Sequence, residues 1–145
     1  MKNSDFYTYR GYGIKGEKLL SPSMEDYIEM IYRLTCEIGN VRVNDLSESL
    51  NVQPPSTTKM IKRLSVGGYV NYEKYGFVKL TDKGMEKGKY LMYRHTTIYS
   101  FLQLIGVSEN LLEQTEKIEH AICEETLQKI NNLVNTLNDE FNKNK

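Results

Sequence analysis

The chain has no tryptophan, two cysteines, three prolines and two histidines among 145 residues. Cys36 and Cys123 make no disulfide framework, which fits a reducing compartment. A chain of this length buries about 68–70% of the surface that its unfolded form exposes, so it folds without such staples. No apolar run approaches the ~20 residues that span a bilayer. The polar opening MKNSDFYTYRGYGIKGEK also lacks the hydrophobic stretch of a secretory signal. These absences read as a soluble, cytoplasmic protein with no membrane partner. A glycine-rich phosphate loop, an H-E-x-x-H run and a nucleophile elbow are missing too. The sequence thus gives no sign of an enzyme or of a small-molecule substrate.

Net charge is absent as well, but the distribution is uneven. Residues 53–89 carry +5, while 21–52 and 107–145 each carry −4. A basic segment between two acidic ones suggests one part that faces phosphate and another with a separate task. Charge blocks of this kind are equally compatible with an ordinary mixed surface.

Residues 1–20 are polar and without period, and read as a flexible N-terminal arm. A first helix is expected from Pro22-Ser23, capped by Ser23, with Tyr27, Ile28, Ile31, Tyr32 and Leu34 as its apolar stripe and Gly39 as its end. A second helix is expected over 43–50. After a short turn, Pro54-Pro55 opens a third over 56–66, because a proline in the first helical turn removes an N–H that had no partner. Met60, Ile61 and Leu64 form its inner stripe, leaving Ser56, Thr57, Thr58, Lys59, Lys62 and Arg63 outside. Gly67-Gly68 breaks it. Strands at 69–74 and 77–81, joined at Tyr75-Gly76, read as a hairpin. This order is that of a winged helix-turn-helix, which sets its second helix in the DNA major groove.

A long helix follows over 82–105, capped by Thr81 and ended by Gly106. A fifth is expected from Ser108, with Leu111, Leu112, Ile118 and Ile122 inward. A sixth is expected over 124–141, with Leu127, Ile130, Leu133, Val134, Leu137 and Phe141. So much apolar face beyond the winged helix suggests a homodimer interface. The fold class is therefore mainly α: a DNA-binding winged-helix domain over 21–81, then a helical domain over 82–145.

Helical spacing places Asp26 and Glu29 on one face. Glu116 neighbours both Glu119 and His120, while the last two diverge by about 100°. With His95, these six offer four carboxylates and both imidazoles. Carboxylate oxygens suit hard cations such as manganese, and imidazole adds affinity for transition metals. Spacing alone is weak evidence, since such pairs are common on solvated helices.

Several motifs together are more specific: SPSMEDYIEMIY at 21–32, KMIKRL at 59–64, YEKY at 72–75, LTDKG at 80–84, YRH at 93–95 and IEH at 118–120. In this order and spacing they resemble the manganese transport regulators, the manganese branch of the diphtheria toxin repressor family. The resemblance covers about residues 21–137. It implies a winged-helix domain joined to a helical dimerisation domain, and two Mn(II) ions per subunit held by Asp26, Glu29, His95, Glu116, Glu119 and His120. Fe(II), Zn(II), Cd(II) and Co(II) are possible substitutes. The iron branch resembles methionine at the position of Asp26 and cysteine at that of Glu116, so both residues point to manganese. The chain also ends without the SH3-like third domain of many iron regulators. On double-stranded operator DNA, the resemblance implies base reading by Pro55, Ser56, Thr58 and Lys59. Lys62 and the wing residues Lys74, Tyr75 and Lys79 then contact mainly phosphate.

The sequence departs from the family in its longer leader and in the double proline of its recognition helix. Cys123, three residues after His120, reads as a buried apolar residue rather than a ligand. The implied function is a manganese-dependent repressor of metal-uptake genes. Its alternatives are an iron-responsive repressor of the same fold, a metal-independent winged-helix regulator, and a dinuclear hydrolase.

Overall fold

The computed structural model describes residues 20–145. The arm expected over 1–20 lies outside them, except for Leu20, which packs against the core. Helix α1 spans Pro22–Ile38. Its cap is Ser21 rather than Ser23: with Pro22 in the first turn, the Ser21 hydroxyl accepts from the Met24 N–H at 3.2 Å. Gly39 ends the helix at φ 80°, where a side chain is strained. Helix α2 spans Val43–Leu50, and its Asp45 carboxylate accepts from the Arg42 N–H at 2.8 Å. Helix α3 spans Pro54–Val66, two residues earlier than expected, with the two prolines at its first two positions.

The wing is an antiparallel pair, β1 (Val70–Tyr72) and β2 (Val78–Leu80), in register Val70–Leu80, Asn71–Lys79 and Tyr72–Val78. Both strands are shorter than expected. Gly76 N–H bonds to the Glu73 carbonyl at 2.8 Å and Tyr75 adopts φ 63°, so residues 73–77 turn instead of pairing. The Val78 N–H donates to the Val41 carbonyl at 2.7 Å, tying the wing to the α1–α2 connection.

Ile28, Ile31, Val41, Leu46, Ile61, Leu64, Val70 and Val78 form the core of this unit. Each such side chain, fully buried, contributes roughly 1.5–3 kcal/mol over its exposed state. Leu91 belongs to the same core although it lies on α4, which spans Asp82–Leu104. Farther along α4, Ile98 and Leu102 meet Leu127 in a second core. Tyr90 touches both, so α4 is a spine shared by the two units. Thr81 caps it as expected, accepting from the Gly84 N–H at 3.1 Å. Two glycines let α4 lie close to its neighbours. A Cβ on Gly84 would come 2.0 Å from the Tyr69 carbonyl oxygen, and one on Gly88 would come 2.8 Å from the Tyr32 Cβ.

Helix α5 spans Leu111–Glu119 and α6 spans Glu124–Lys143. The expected start of α5 at Ser108 is three residues early, because Asn110 takes left-handed dihedrals and serves as the cap. Leu127 and Val134 of α6 are buried. Leu112 does not face inward as expected but is 57% exposed in the single chain, and Ile105, Leu133 and Phe141 are likewise 48–60% exposed. Apolar surface of this kind suits a second copy.

Candidate metal centre and nucleic-acid interface

All six residues singled out by the acidic and imidazole pattern converge where α1, α4 and α5 meet. Asp26, Glu116, Glu119 and His120 each bring one ligand-type atom into a set within 4.8 Å of one another. Glu29, His95, Glu116 and Glu119 form a second such set, so Glu116 and Glu119 belong to both. The His95 Nδ1 is 3.2 Å from Glu116 Oε1 and 3.1 Å from Glu119 Oε2. The His120 Nε2 is 3.0 Å from Asp26 Oδ1 and 3.9 Å from Glu119 Oε1. His120 is not within α5 as expected but caps its C-terminus, at near-helical φ −70° and ψ −17°.

The electrostatics are those of a crowded acidic pocket. Burial pushes the Glu29 carboxyl up to about 7; the Glu119 charge adds to this and Arg33 opposes it. Asp26 is raised by burial, against the pull of His120. The Glu116 and Glu119 carboxylates, accepting from the His95 ring, push its pKa up to about 9. The same bond to His95 lowers Glu116. Four carboxylates and two imidazoles, with Glu119 only 1% exposed and no thiolate present, make an oxygen-and-nitrogen donor set that fits divalent cations of the hard to borderline kind. Cys123 belongs to neither set. It is exposed rather than buried, because it stands at the N-cap of α6 with its sulfur 3.2 Å from the Thr126 hydroxyl.

Three basic and acidic neighbours escaped the sequence reading. Arg33 Nη2 donates to Glu29 Oε2 at 2.8 Å. Arg94 donates to both oxygens of the buried Glu25, at 3.2 and 3.3 Å. Glu25 directly precedes Asp26, and Arg94 directly precedes His95. Adjacent helical residues point about 100° apart, so sequence spacing turned both away from the site. The crossing of α1 and α4 brings them back to its rim.

On the opposite end of the winged helix, Pro55, Ser56, Lys59 and Lys62 are exposed on α3, with Thr58 half-buried. Thr58, Lys62, Lys74 and Tyr75 line one groove of about 600 Å³ between α3 and the wing. Tyr75 is 83% exposed, with Lys74 Nζ 5.2 Å from its ring centroid. Lys79 is exposed in β2, opposite Asn71, and outside that groove. Thr57, expected outside, is fully buried: its hydroxyl accepts from Ser47 Oγ at 2.9 Å and lies 3.5 Å from the Tyr27 hydroxyl. Arg42 was also missed. It lines the neighbouring groove, donates to the Tyr75 carbonyl at 3.2 Å and stacks 4.4 Å over Phe77.

Fold and pocket define the class: a winged-helix regulator whose DNA-binding and helical units share a carboxylate–imidazole pocket. The family profile "Iron dependent repressor, N-terminal DNA binding domain" matches residues 19–78, and "Iron dependent repressor, metal binding and dimerisation domain" matches 81–143. The chain is 48% identical over 115 residues to the HTH-type transcriptional regulator MntR of Geobacillus kaustophilus, covering 79% of this chain and 82% of that one. It is 43% identical over 128 residues to MntR of Bacillus velezensis, covering 88% and 90%. Among solved structures, the apo form of the manganese-activated repressor ScaR is 25% identical with a TM-score of 0.62, covering 75% of this chain and 53% of that chain. The chain thus spans about half the length of that structure. It belongs to the iron-dependent repressor family, also called the diphtheria toxin repressor family, and is a transcription regulator rather than an enzyme.

Proposed function

We propose that the chain is a manganese-dependent repressor of metal-uptake genes that acts as a homodimer on double-stranded operator DNA in the cytoplasm. The observation that carries this reading is the pair of donor sets that share Glu116 and Glu119 and draw on α1, α4 and the end of α5. Asp26, Glu119, Glu116 and His120 hold one Mn(II), and Glu29, His95, Glu116 and Glu119 hold a second. Bound cations supply positive charge that offsets the clustered carboxylates, and coordinate bonds that join the two units. ScaR has also been solved with Zn2+ and with Cd2+; Fe(II) and Co(II) suit the same donors. Among the described residues no helix is long and apolar enough to cross a membrane.

Asp26 and Glu29 move with α1, and so with the winged helix over 21–81. His95, Glu116, Glu119 and His120 move with the helical unit over 82–145. In the metal-free protein, mutual repulsion among the carboxylates favours separation of α1 from α4 and α5. Neutralising the cluster therefore selects one spacing of the two α3 helices in the dimer, as population shift requires. A twofold dimer then meets successive major grooves about 34–36 Å apart. Pro55, Ser56, Thr58 and Lys59 read bases; Lys62, Lys74, Tyr75 and Lys79 hold phosphates, which sets register and salt dependence. In cells carrying a reporter behind a manganese-uptake promoter, the chain lowers expression when manganese is added, and Lys59→Ala does not. Equal expression with and without manganese would overturn this reading.

A further inference from the structure

Beside the two donor sets lies a polar contact that neither set uses. Glu25 is buried on α1, and Arg94 on α4 has 5% side-chain exposure. Arg94 holds both Glu25 oxygens, and Lys87 Nζ lies 3.7 Å from Oε2. The Arg94 Nε is buried without a hydrogen-bond partner among the described residues, so the guanidinium is oriented by Glu25 and its neighbours rather than by full pairing. A buried ion pair of this kind is seldom worth more than apolar packing of the same shape. Stability alone does not account for it.

The pair abuts His120. Glu25 Oε1 is 3.1 Å from His120 Nδ1, while the other ring nitrogen, Nε2, faces Asp26 and Glu119. A ring nitrogen that carries a proton has no lone pair for a cation. When Nδ1–H donates to Glu25, the lone pair is left on Nε2, aimed into the Asp26–Glu116–Glu119–His120 set. Arg94 Nη2 is also 3.2 Å from Nδ1 and would favour the opposite arrangement by donating to it. Glu25 and Arg94 thus compete for one nitrogen and decide which face of the ring is open. Glu25 does not belong to either donor set, because its oxygens point to Nδ1 and to Arg94.

We propose that Glu25, fixed in plane by Arg94, is the positioning residue for His120: it accepts Nδ1–H and so presents Nε2 to the cation. This rests on the reading of the pocket as a metal site. Partners of this kind orient ligating histidines and typically contribute 10- to 100-fold to metal affinity.

The test is titration of the full-length, chelator-treated chain with Mn2+, following free Mn2+ by electron paramagnetic resonance, in wild type, Glu25→Gln, Glu25→Asp and Asp26→Ala. Glu25→Gln is expected to weaken the His120 set about 10- to 100-fold while leaving the His95 set within a few-fold. Glu25→Asp keeps the charge beside Arg94 but is one methylene too short to reach Nδ1, and gives the same selective loss with an unchanged metal-free unfolding midpoint. In the zinc-loaded protein, proton NMR of wild type shows a slowly exchanging downfield His120 Nδ1–H resonance that is lost or shifted upfield in Glu25→Gln. With only two histidines, assignment is direct. If both variants bind like wild type while Asp26→Ala is weakened, the positioning role is refuted and the metal site stands. Equal weakening of both sets with a lowered metal-free midpoint would make Glu25 a structural pair only, and also refute it. If wild type binds no Mn2+, the reading of the site itself falls.

Discussion

Replacing Gly88 with alanine sets two effects against each other. Within a helix, alanine is favoured over glycine by about 1 kcal/mol, so propensity alone makes Gly88→Ala stabilising. Gly88, however, is buried where α4 crosses α1, and its Cβ would stand 2.8 Å from Tyr32 Cβ and 3.0 Å from two ring carbons of Tyr32. Ordinary contact needs about 3.5–4 Å. The helices must therefore part by roughly 1 Å, and Tyr32 Cβ cannot swing away because it is fixed to the α1 backbone. Overpacking of this kind costs about 1–3 kcal/mol, which outweighs the propensity gain. The net loss, up to about 2 kcal/mol, lowers the melting midpoint by up to roughly 8 °C for a chain of this size. The functional effect is larger. His95 lies two helical turns from Gly88, and its partner Glu29 lies less than one turn from Tyr32. Metal–ligand distances tolerate only about ±0.2 Å, so a 1 Å separation of α1 from α4 weakens the cation site more than the fold. Thermal unfolding of the metal-free protein, with Mn2+ titration of the same sample, reads both effects. A raised midpoint with unchanged Mn2+ affinity would refute the argument.

Four further outcomes follow from the same geometry. With Glu29 pushed up to about 7 and His95 to about 9, Mn2+ competes with protons for both; its binding strengthens from pH 6 to 8 and releases one to two protons per subunit at pH 7, measurable by calorimetry in buffers of different ionisation enthalpy. Both groups hold more protons folded than unfolded, so their contribution to metal-free stability is present at low pH and is lost as pH rises through 7 and then 9; urea unfolding of chelated protein at pH 6 and 9 checks the sign. Thr57→Val leaves the Tyr27 hydroxyl without its partner, while Ser47 keeps its bond to the Val43 carbonyl, and costs about 1–3 kcal/mol, whereas Lys59→Ala leaves the unfolding midpoint unchanged and weakens operator binding, a contrast read by unfolding and by fluorescence anisotropy. Glu116→Cys shifts activation towards softer ions such as Zn2+ and Cd2+, and an unchanged metal profile in a DNA-binding assay would contradict the placement of Glu116.

Much of this was legible in the sequence because helical period and turn chemistry are local. Pro54-Pro55, Thr81 and Gly39 mark helix ends, and α2 was placed to the residue. Asp26 and Glu29, or Glu116 and Glu119, are brought to one face by spacing of three alone. What was not legible depends on contacts between elements. Thr57 is polar and sits among outward residues of α3, but α2 and α1 supply hydroxyl partners that let it be buried. Ser21 displaced Ser23 as the cap because the position of Pro22 decides where the first turn begins. Glu25 and Arg94 stayed hidden because each adjoins a more conspicuous residue and turns inward only through the α1–α4 crossing. Leu133 and Phe141 follow the helical stripe but overrun the core of one chain, and periodicity cannot tell a core from an interface.

The most direct test of the account is operator binding by chelator-treated protein, measured by fluorescence anisotropy on a manganese-transporter promoter fragment with and without Mn2+, alongside Asp26→Ala and His95→Ala. Tight binding that requires Mn2+ and is lost in both variants is the predicted result. Equal binding in chelator and in Mn2+ would leave a winged-helix DNA-binding protein and contradict the metal switch.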